Sequence, residues 1–273
     1  MAEKKEMTDL EWAALLEWYA AAGVDLGVGD HPVDRFAAQA ALQQARARPV
    51  QPIAPAEAAA SHAPVAPDAE ASPVEAQALA AAADTLEALE AAMNGFDGSP
   101  LKQRATQLVF GDGNSEGRVM LIGEAPGREE DLQGKPFVGR SGQLLDRMLA
   151  AIGLDRTQVY IANTVPWRPP GNRTPTPAEI ALCLPFLFRQ ITLAAPEFIV
   201  SLGGPSANTL IGQPVSITRV RGQWRRIEIA GKTYPLLPTF HPAFLLRQPA
   251  QKGLAWRDML TLRRALDGTD IPV

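Results

Sequence analysis

The sequence predicts an α/β fold, a mostly parallel sheet covered by helices on both faces, preceded by a helical segment and a linker. Two observations carry this. From Arg118 onward short apolar runs alternate with segments of helical periodicity, the pattern of strands buried on both sides. Ahead of them, residues 47–83 are Ala/Pro-rich and nearly free of aromatics, so they cannot offset the entropy of ordering and read as a semi-extended, disordered linker.

In chain order, residues 1–46 hold an amphipathic helix from Thr8 to about Ala22. Leu10, Trp12, Leu15, Leu16, Trp18 and Tyr19 fall at helical spacing, and Thr8 with Glu11 makes a capping box. His62, within the linker, is expected to be solvated and idle. Residues 84–273 form the domain, opening with a helix near Ala83 to Met93. Strand "RVMLIG", helix "SGQLLDRMLAAIG", strand "QVYIANTV", helix "TPAEIALCLPFLFRQITLAA", strand "EFIVSLGG" and short helix "PSANTLIG" follow. A hairpin-like "ITRVRGQWRRIEIAGKTYPLLPTF" and a final helix "AWRDMLTLRRAL" complete the pattern.

Bulk properties narrow the function classes. No apolar run approaches the roughly 20 residues of a membrane span, and the N-terminus shows no basic region followed by an apolar one, so no membrane association and a cytoplasmic location are expected. The single cysteine, Cys183, excludes an intramolecular disulfide and an all-thiolate metal site built from one chain. The net charge of −4 hides an asymmetry: residues 1–95 carry 15 acids against 5 bases, residues 96–273 carry 15 against 21. The part expected to fold is cationic, which suits a nucleic-acid partner or is simply a basic face without purpose.

In a parallel sheet ligands bind beyond the carboxyl ends of the strands. The loops "GEAPG", "NTVPWRPPGN" and "FHPAF" all begin there, so they are expected to converge on one cleft. In the first, Gly123 and Gly127 permit close backbone approach, while Glu124 and Glu130 supply carboxylates suited to a general base, a water positioner or a stabiliser of positive charge. Acids there exclude a phosphate loop. Phe137 in "GKPFVG" is either core packing or a stacking platform for a base. Asn163 carries a donor and an acceptor on one amide, fit to read a nucleobase edge, or it caps a turn. Arg168, Asn172 and Arg173 sit in a proline-stiffened loop suited to a phosphate backbone. His241, at a strand end, is a donor toward an oxygen gaining negative charge, or a structural residue.

Taken together, "GEAPGREEDLQGKPFVGRSGQLLDRML", "NTVPWRPPGNRTPTPAEIALCLPFL" and "HPAFLLR" resemble, in that order, the signature loops of the family 4 uracil-DNA glycosylases. The resemblance covers about residues 84–267. It implies a three-layer α/β/α sandwich with a central mostly parallel four-stranded sheet, and hydrolysis of the bond joining uracil to deoxyribose in single- or double-stranded DNA, leaving an abasic site. It places Glu124 beside the attacking water and the Glu124 to Ala125 backbone against the base. Phe137 would stack on the flipped uracil, Asn163 read its edge and His241 stabilise the departing anion; Glu130 and Asn172 match further functional positions. Leu245 and Leu246 resemble residues that wedge into the duplex, with Arg247 on phosphate; the other reading of this segment is the start of a packed helix.

The family usually carries a [4Fe-4S] cluster on four cysteines. The matching positions here are Phe96, Ser99, Trp167 and Cys183, so the expectation is no cluster, with Phe96 and Trp167 filling its volume. The alternative function is a uracil-DNA binding or crosslinking module without turnover. A crosslinking relative carries an inserted basic, His-containing loop, and none lies between Gln133 and Arg168. The N-terminal helix either docks on a protein partner or folds back on the domain.

Overall fold

The computed structural model describes residues 73–269. The helix expected from Thr8, its partner docking and most of the linker lie outside the described residues. One end of the linker is corrected. Residues expected to be disordered form helix α1 (Pro73–Ala82), whose Ala76 and Ala80, one turn apart, are buried against the long helix Pro177–Ala194. Alanine has the highest helix propensity and lets helix backbones approach closely; lacking large apolar side chains, the segment reads as linker by composition alone. Helix α2 (Leu86–Gly95) starts at Thr85, whose hydroxyl accepts from the Ala88 N–H at 3.1 Å.

The sheet has six strands in the order β1-β3-β2-β4-β6-β5. They are β1 (Asp112–Gly113), β2 (Val119–Gly123), β3 (Val159–Asn163), β4 (Phe198–Leu202), β5 (Arg225–Ile229) and β6 (Lys232–Thr239). The four expected parallel strands, β3, β2, β4 and β6, form the centre, and antiparallel β1 and β5 extend each edge. At two residues β1 is too short to show a period. The β5–β6 hairpin turns at Ala230 and Gly231, both with positive φ (49° and 78°), the geometry of a tight two-residue turn.

Helices α3 (Arg128–Gln133), α4 (Arg140–Ala150), α5 (Pro177–Ala194), α6 (Gly204–Ile211), α7 (Ile217–Val220), α8 (Pro242–Arg247) and α9 (Lys252–Leu266) follow the strands. Every residue of β2, β3 and β4 is buried. Val119 and Leu121 face Leu145 and Leu149 of α4 and Leu262 of α9, while Met120 and Ile122 face Leu187 and Ile191 of α5 and Leu210 of α6. A fully buried side chain of this size contributes about 1.5–3 kcal/mol, and a slip of one residue would turn each strand's pattern over. The register therefore holds, and it sets Gly123 beside Asn163 and Leu202 beside Thr239. All three chemically distinctive loops leave the sheet at one level.

Helix α5 begins at Thr176, whose hydroxyl accepts from the Glu179 N–H while the Glu179 carboxylate accepts from the Thr176 N–H at 2.7 Å. By length and a mean hydropathy of 1.2 it is the one described helix apolar enough to cross a membrane, a run the expectation had not counted. Here it covers the sheet, with Phe186 and Ile191 buried and Gln190 donating to the Tyr160 hydroxyl at 2.7 Å.

Candidate active site

A cleft of about 670 Å³ opens on the carboxyl edge of the sheet, and its wall includes Glu124, Ala125, Phe137, Asn163, Asn172 and His241, with Glu130, Arg173 and Arg247. The convergence expected of the three loops is present. The loop after β2 is stapled to the loop after β3: the Thr164 N–H donates to the Gly123 carbonyl at 3.0 Å, and the Thr164 hydroxyl and Val165 N–H donate to the Glu124 carbonyl at 2.6 and 3.1 Å.

Two acceptors in this wall are buried without a protein partner, Glu124 Oε1 and Asn163 Oδ1. Buried polar groups are almost always paired, so orphans on residues that line a cleft point to a ligand that supplies donors. Burial raises the Glu124 pKa above the ordinary carboxylate value, with a hydrogen bond from Thr174 acting in the opposite direction.

Gly123 lets Asn163 and Phe137 approach the end of β2 closely. A Cβ there would stand 2.4 Å from Asn163 Oδ1 and 2.7 Å from the Phe137 ring. Phe137 combines both readings open at the outset: it is 4% exposed and packs in the core, yet its ring lines the cleft, 5.5 Å from the His241 ring and tilted by 32°.

His241 precedes Pro242 at the start of α8, and its Nδ1 accepts from the Ala243 N–H at 3.1 Å. With Nδ1 committed as an acceptor, the neutral ring carries its proton on Nε2. Burial, seconded by the nearby Arg247 charge, pushes the His241 pKa down to about 4, against a smaller opposing effect of Glu130. The ring is a neutral donor across the physiological range.

Glu130, expected among the catalytic residues, lines the cleft and is bonded to its backbone. Its Oε2 accepts from the Gly127 N–H at 3.1 Å, and its Oε1 accepts from the Val138 and Gly139 N–H groups at 3.1 and 3.0 Å. Both oxygens join "GEAPG" to "PFVG", and the carboxylate shapes the wall. Arg168 and Arg173, expected on phosphate, are both held by partners within the protein. Arg168 donates to Asn172 Oδ1 at 2.7 Å and lies 3.8 Å from the buried Asp131. Arg173 forms a two-pronged pair with Glu179 at 2.6 and 2.8 Å, which holds that carboxyl down to about 2. Proline-rich backbone offers few N–H donors, and these guanidinium groups brace the loop instead. Asn172 itself has a left-handed backbone (φ 55°) and remains on the cleft wall.

The duplex wedge is corrected in part. Leu245 is 1% exposed, in a core with Leu144, Phe240 and Ala255, as the packed-helix reading had it; Leu246 is exposed. Arg247 is exposed beside it and lines the cleft.

Phe96, Trp167 and Cys183 are all 1% exposed and share one apolar cluster, and Ser99 is also fully buried. The Phe96 and Phe186 rings meet edge to face at 5.3 Å. Burial raises the Cys183 thiol well above its ordinary pKa, which disfavours the thiolate a metal needs. One thiol among packed aromatic rings does not fit a four-iron cluster.

Three residues that shape the cleft escape a reading of the sequence. Thr174 and Arg156 act on groups 50 and 19 residues away, respectively. Gly142, near the start of α4, has its only signal in being a glycine within a helix.

Residues 110–260 match the Uracil DNA glycosylase superfamily. Among similar proteins, a type-4 uracil-DNA glycosylase from Thermotoga maritima is 47% identical over 152 residues, covering 54% of this chain and 76% of that protein. Type-4 uracil-DNA glycosylases from Archaeoglobus fulgidus and Pyrobaculum aerophilum are 42% and 39% identical, over 55% and 64% of this chain and 77% and 91% of theirs.

Proposed function

The chain belongs to the uracil-DNA glycosylase superfamily and excises uracil from DNA, and we propose that the cleft on the carboxyl edge of its sheet performs the hydrolysis with Glu124, Asn163, Phe137 and His241. The observation that carries this reading is the pairing of two orphaned acceptors, Glu124 Oε1 and Asn163 Oδ1, with a neutral imidazole whose free proton is on Nε2.

The bond between uracil and C1′ of deoxyribose breaks with its electron pair leaving on the base, and water oxygen adds to C1′ as the water gives up one proton, which ends on the departed uracil anion. The base gains negative charge as the sugar gains positive charge. His241 Nε2–H donates to a base carbonyl, where a neutral donor strengthens as the oxyanion forms. Glu124, directly after β2, orients the water and faces the sugar's positive charge. Asn163 accepts from the ring N–H of uracil and donates to the neighbouring carbonyl. Cytosine lacks that ring proton, so its lone pair would meet Oδ1, a mismatch that rejects the normal base. Phe137 covers the extruded base, where stacking of about 1–3 kcal/mol helps offset unstacking from the duplex. Arg247 and Asn172 meet the backbone at the cleft wall, and Leu246 alone stands where a wedge would act.

The reading extends to cofactors and setting. The chain works without a [4Fe-4S] cluster, with the Phe96, Phe186 and Trp167 packing supporting the fold there, and it acts on DNA in the cytoplasm. The test is an alkali-cleavage assay on single- and double-stranded oligonucleotides bearing one uracil. Wild type yields a break at uracil and none at cytosine; Glu124→Gln, Asn163→Ala and His241→Ala lose most of the rate. A chain that binds the oligonucleotide yet never cleaves would establish the binding-module alternative. Bound iron or visible cluster absorption in purified protein would refute the cofactor reading.

A further inference from the structure

Four described residues other than glycine have positive φ, and three have local reasons. Ala195 ends a helix, Ala230 turns a hairpin and Asn172 belongs to the residue type that tolerates this region. Phe137 (φ 54°) has none, and an aromatic residue in this region is strained. Its conformation is held from outside.

Arg156, in the 3₁₀ turn Arg156–Gln158 before β3, donates through Nη1 to the Pro136 carbonyl at 3.1 Å and through Nη2 to the Phe137 carbonyl. Its guanidinium is itself fixed by Asp112 of β1 at 2.9 Å and Asp146 of α4 at 2.7 Å. Gly142 admits the Phe137 carbonyl, since a Cβ there would stand 1.7 Å from that oxygen. Glu130 fixes the next two N–H groups. Relaxation of Phe137 to the ordinary helical region would turn φ by roughly 110° and carry its ring away from His241.

We propose that Arg156 is a positioning residue for uracil excision: by gripping two successive carbonyls it keeps Phe137 in the left-handed conformation that presents its ring to the base. The proposal rests on the reading of Phe137 as the stacking platform. Only a guanidinium offers a planar fork wide enough for two carbonyls and two carboxylates; an ammonium does not.

The experiment is a double-mutant cycle on the full chain, pairing Arg156→Met and Arg156→Lys with Phe137→Ala and reading single-turnover excision beside affinity for uracil-containing DNA. Each Arg156 variant is expected to lower the excision rate about 10- to 100-fold with affinity changed by no more than about twofold. In the Phe137→Ala background the same substitutions change the rate by less than about twofold. An equal loss in both backgrounds marks general destabilisation and overturns the proposal, as does an undiminished rate in Arg156→Lys. If Arg156→Met does not fold, Asp112→Asn, which frees the guanidinium on one side, completes the cycle. A wild-type rate in Phe137→Ala alone would overturn the stacking reading itself, an outcome distinct from failure of the grip.

Discussion

Lowering pH from 7 to 4.5 should cost this protein stability through the side chain of His241. Its folded pKa of about 4 lies below the ordinary 6.5 because burial opposes the charged ring, and protonation at Nδ1 would also break the bond from the Ala243 N–H that starts α8. Between those two values the unfolded chain binds more protons than the folded one, so stability rises with pH through this window. The contribution is complete above about pH 6.5 and is lost as pH falls toward 4. A shift of about 2.5 units at 1.36 kcal/mol each makes it on the order of 3 kcal/mol. The assay is denaturant unfolding of wild type and His241→Gln at intervals from pH 7 to 4.5. The other two histidines, His31 and His62, are common to both proteins. The wild-type slope should exceed the variant's by up to one proton across the window. Parallel slopes would show that the ring titrates normally in the folded state, and the neutral-donor argument would fall with it.

Three further outcomes are expected. Glu130→Ala leaves three backbone N–H groups without their acceptor and should destabilise the fold by about 3 kcal/mol or more, measured by chemical unfolding, with excision falling in parallel. Phe96→Ala empties part of a fully buried cluster and should cost about 3–5 kcal/mol, whereas a chelator should leave the wild-type Tm unchanged. Burial raises the Glu124 pKa, so with the Glu124 carboxylate orienting water as proposed, the acid limb of kcat/KM should lie above the ordinary glutamate value; in Glu124→Gln that limb should vanish from the residual rate.

The sequence by itself determined the parallel sheet, the cleft at its carboxyl edge and the chemical types on its wall. Strand burial on both faces writes itself as continuous apolar runs such as "VMLIG" and "VYIAN", and a residue's chemistry travels with its name. Glu124, Asn163 and His241 were legible as cleft residues because Glu124 directly follows β2, Asn163 ends β3 and His241 lies two residues past the end of β6. Only the tertiary structure decided how the other polar groups are employed. Arg168 and Arg173 stand in one loop with the composition of a phosphate site, but Asp131 and Glu179 engage them. Glu130 has the look of a second catalytic acid, but three N–H groups donate to its oxygens. Leu245 and Leu246 are neighbours of the same type, and the direction each faces from α8 buries one and exposes the other. Ala76 and Ala80 looked like linker until a helix surface lay against them. The physical reason is common to all four. Periodicity is a property of a segment, whereas the partner that uses up a charge, a lone pair or an apolar face arrives from another part of the chain and leaves no mark on the segment it meets.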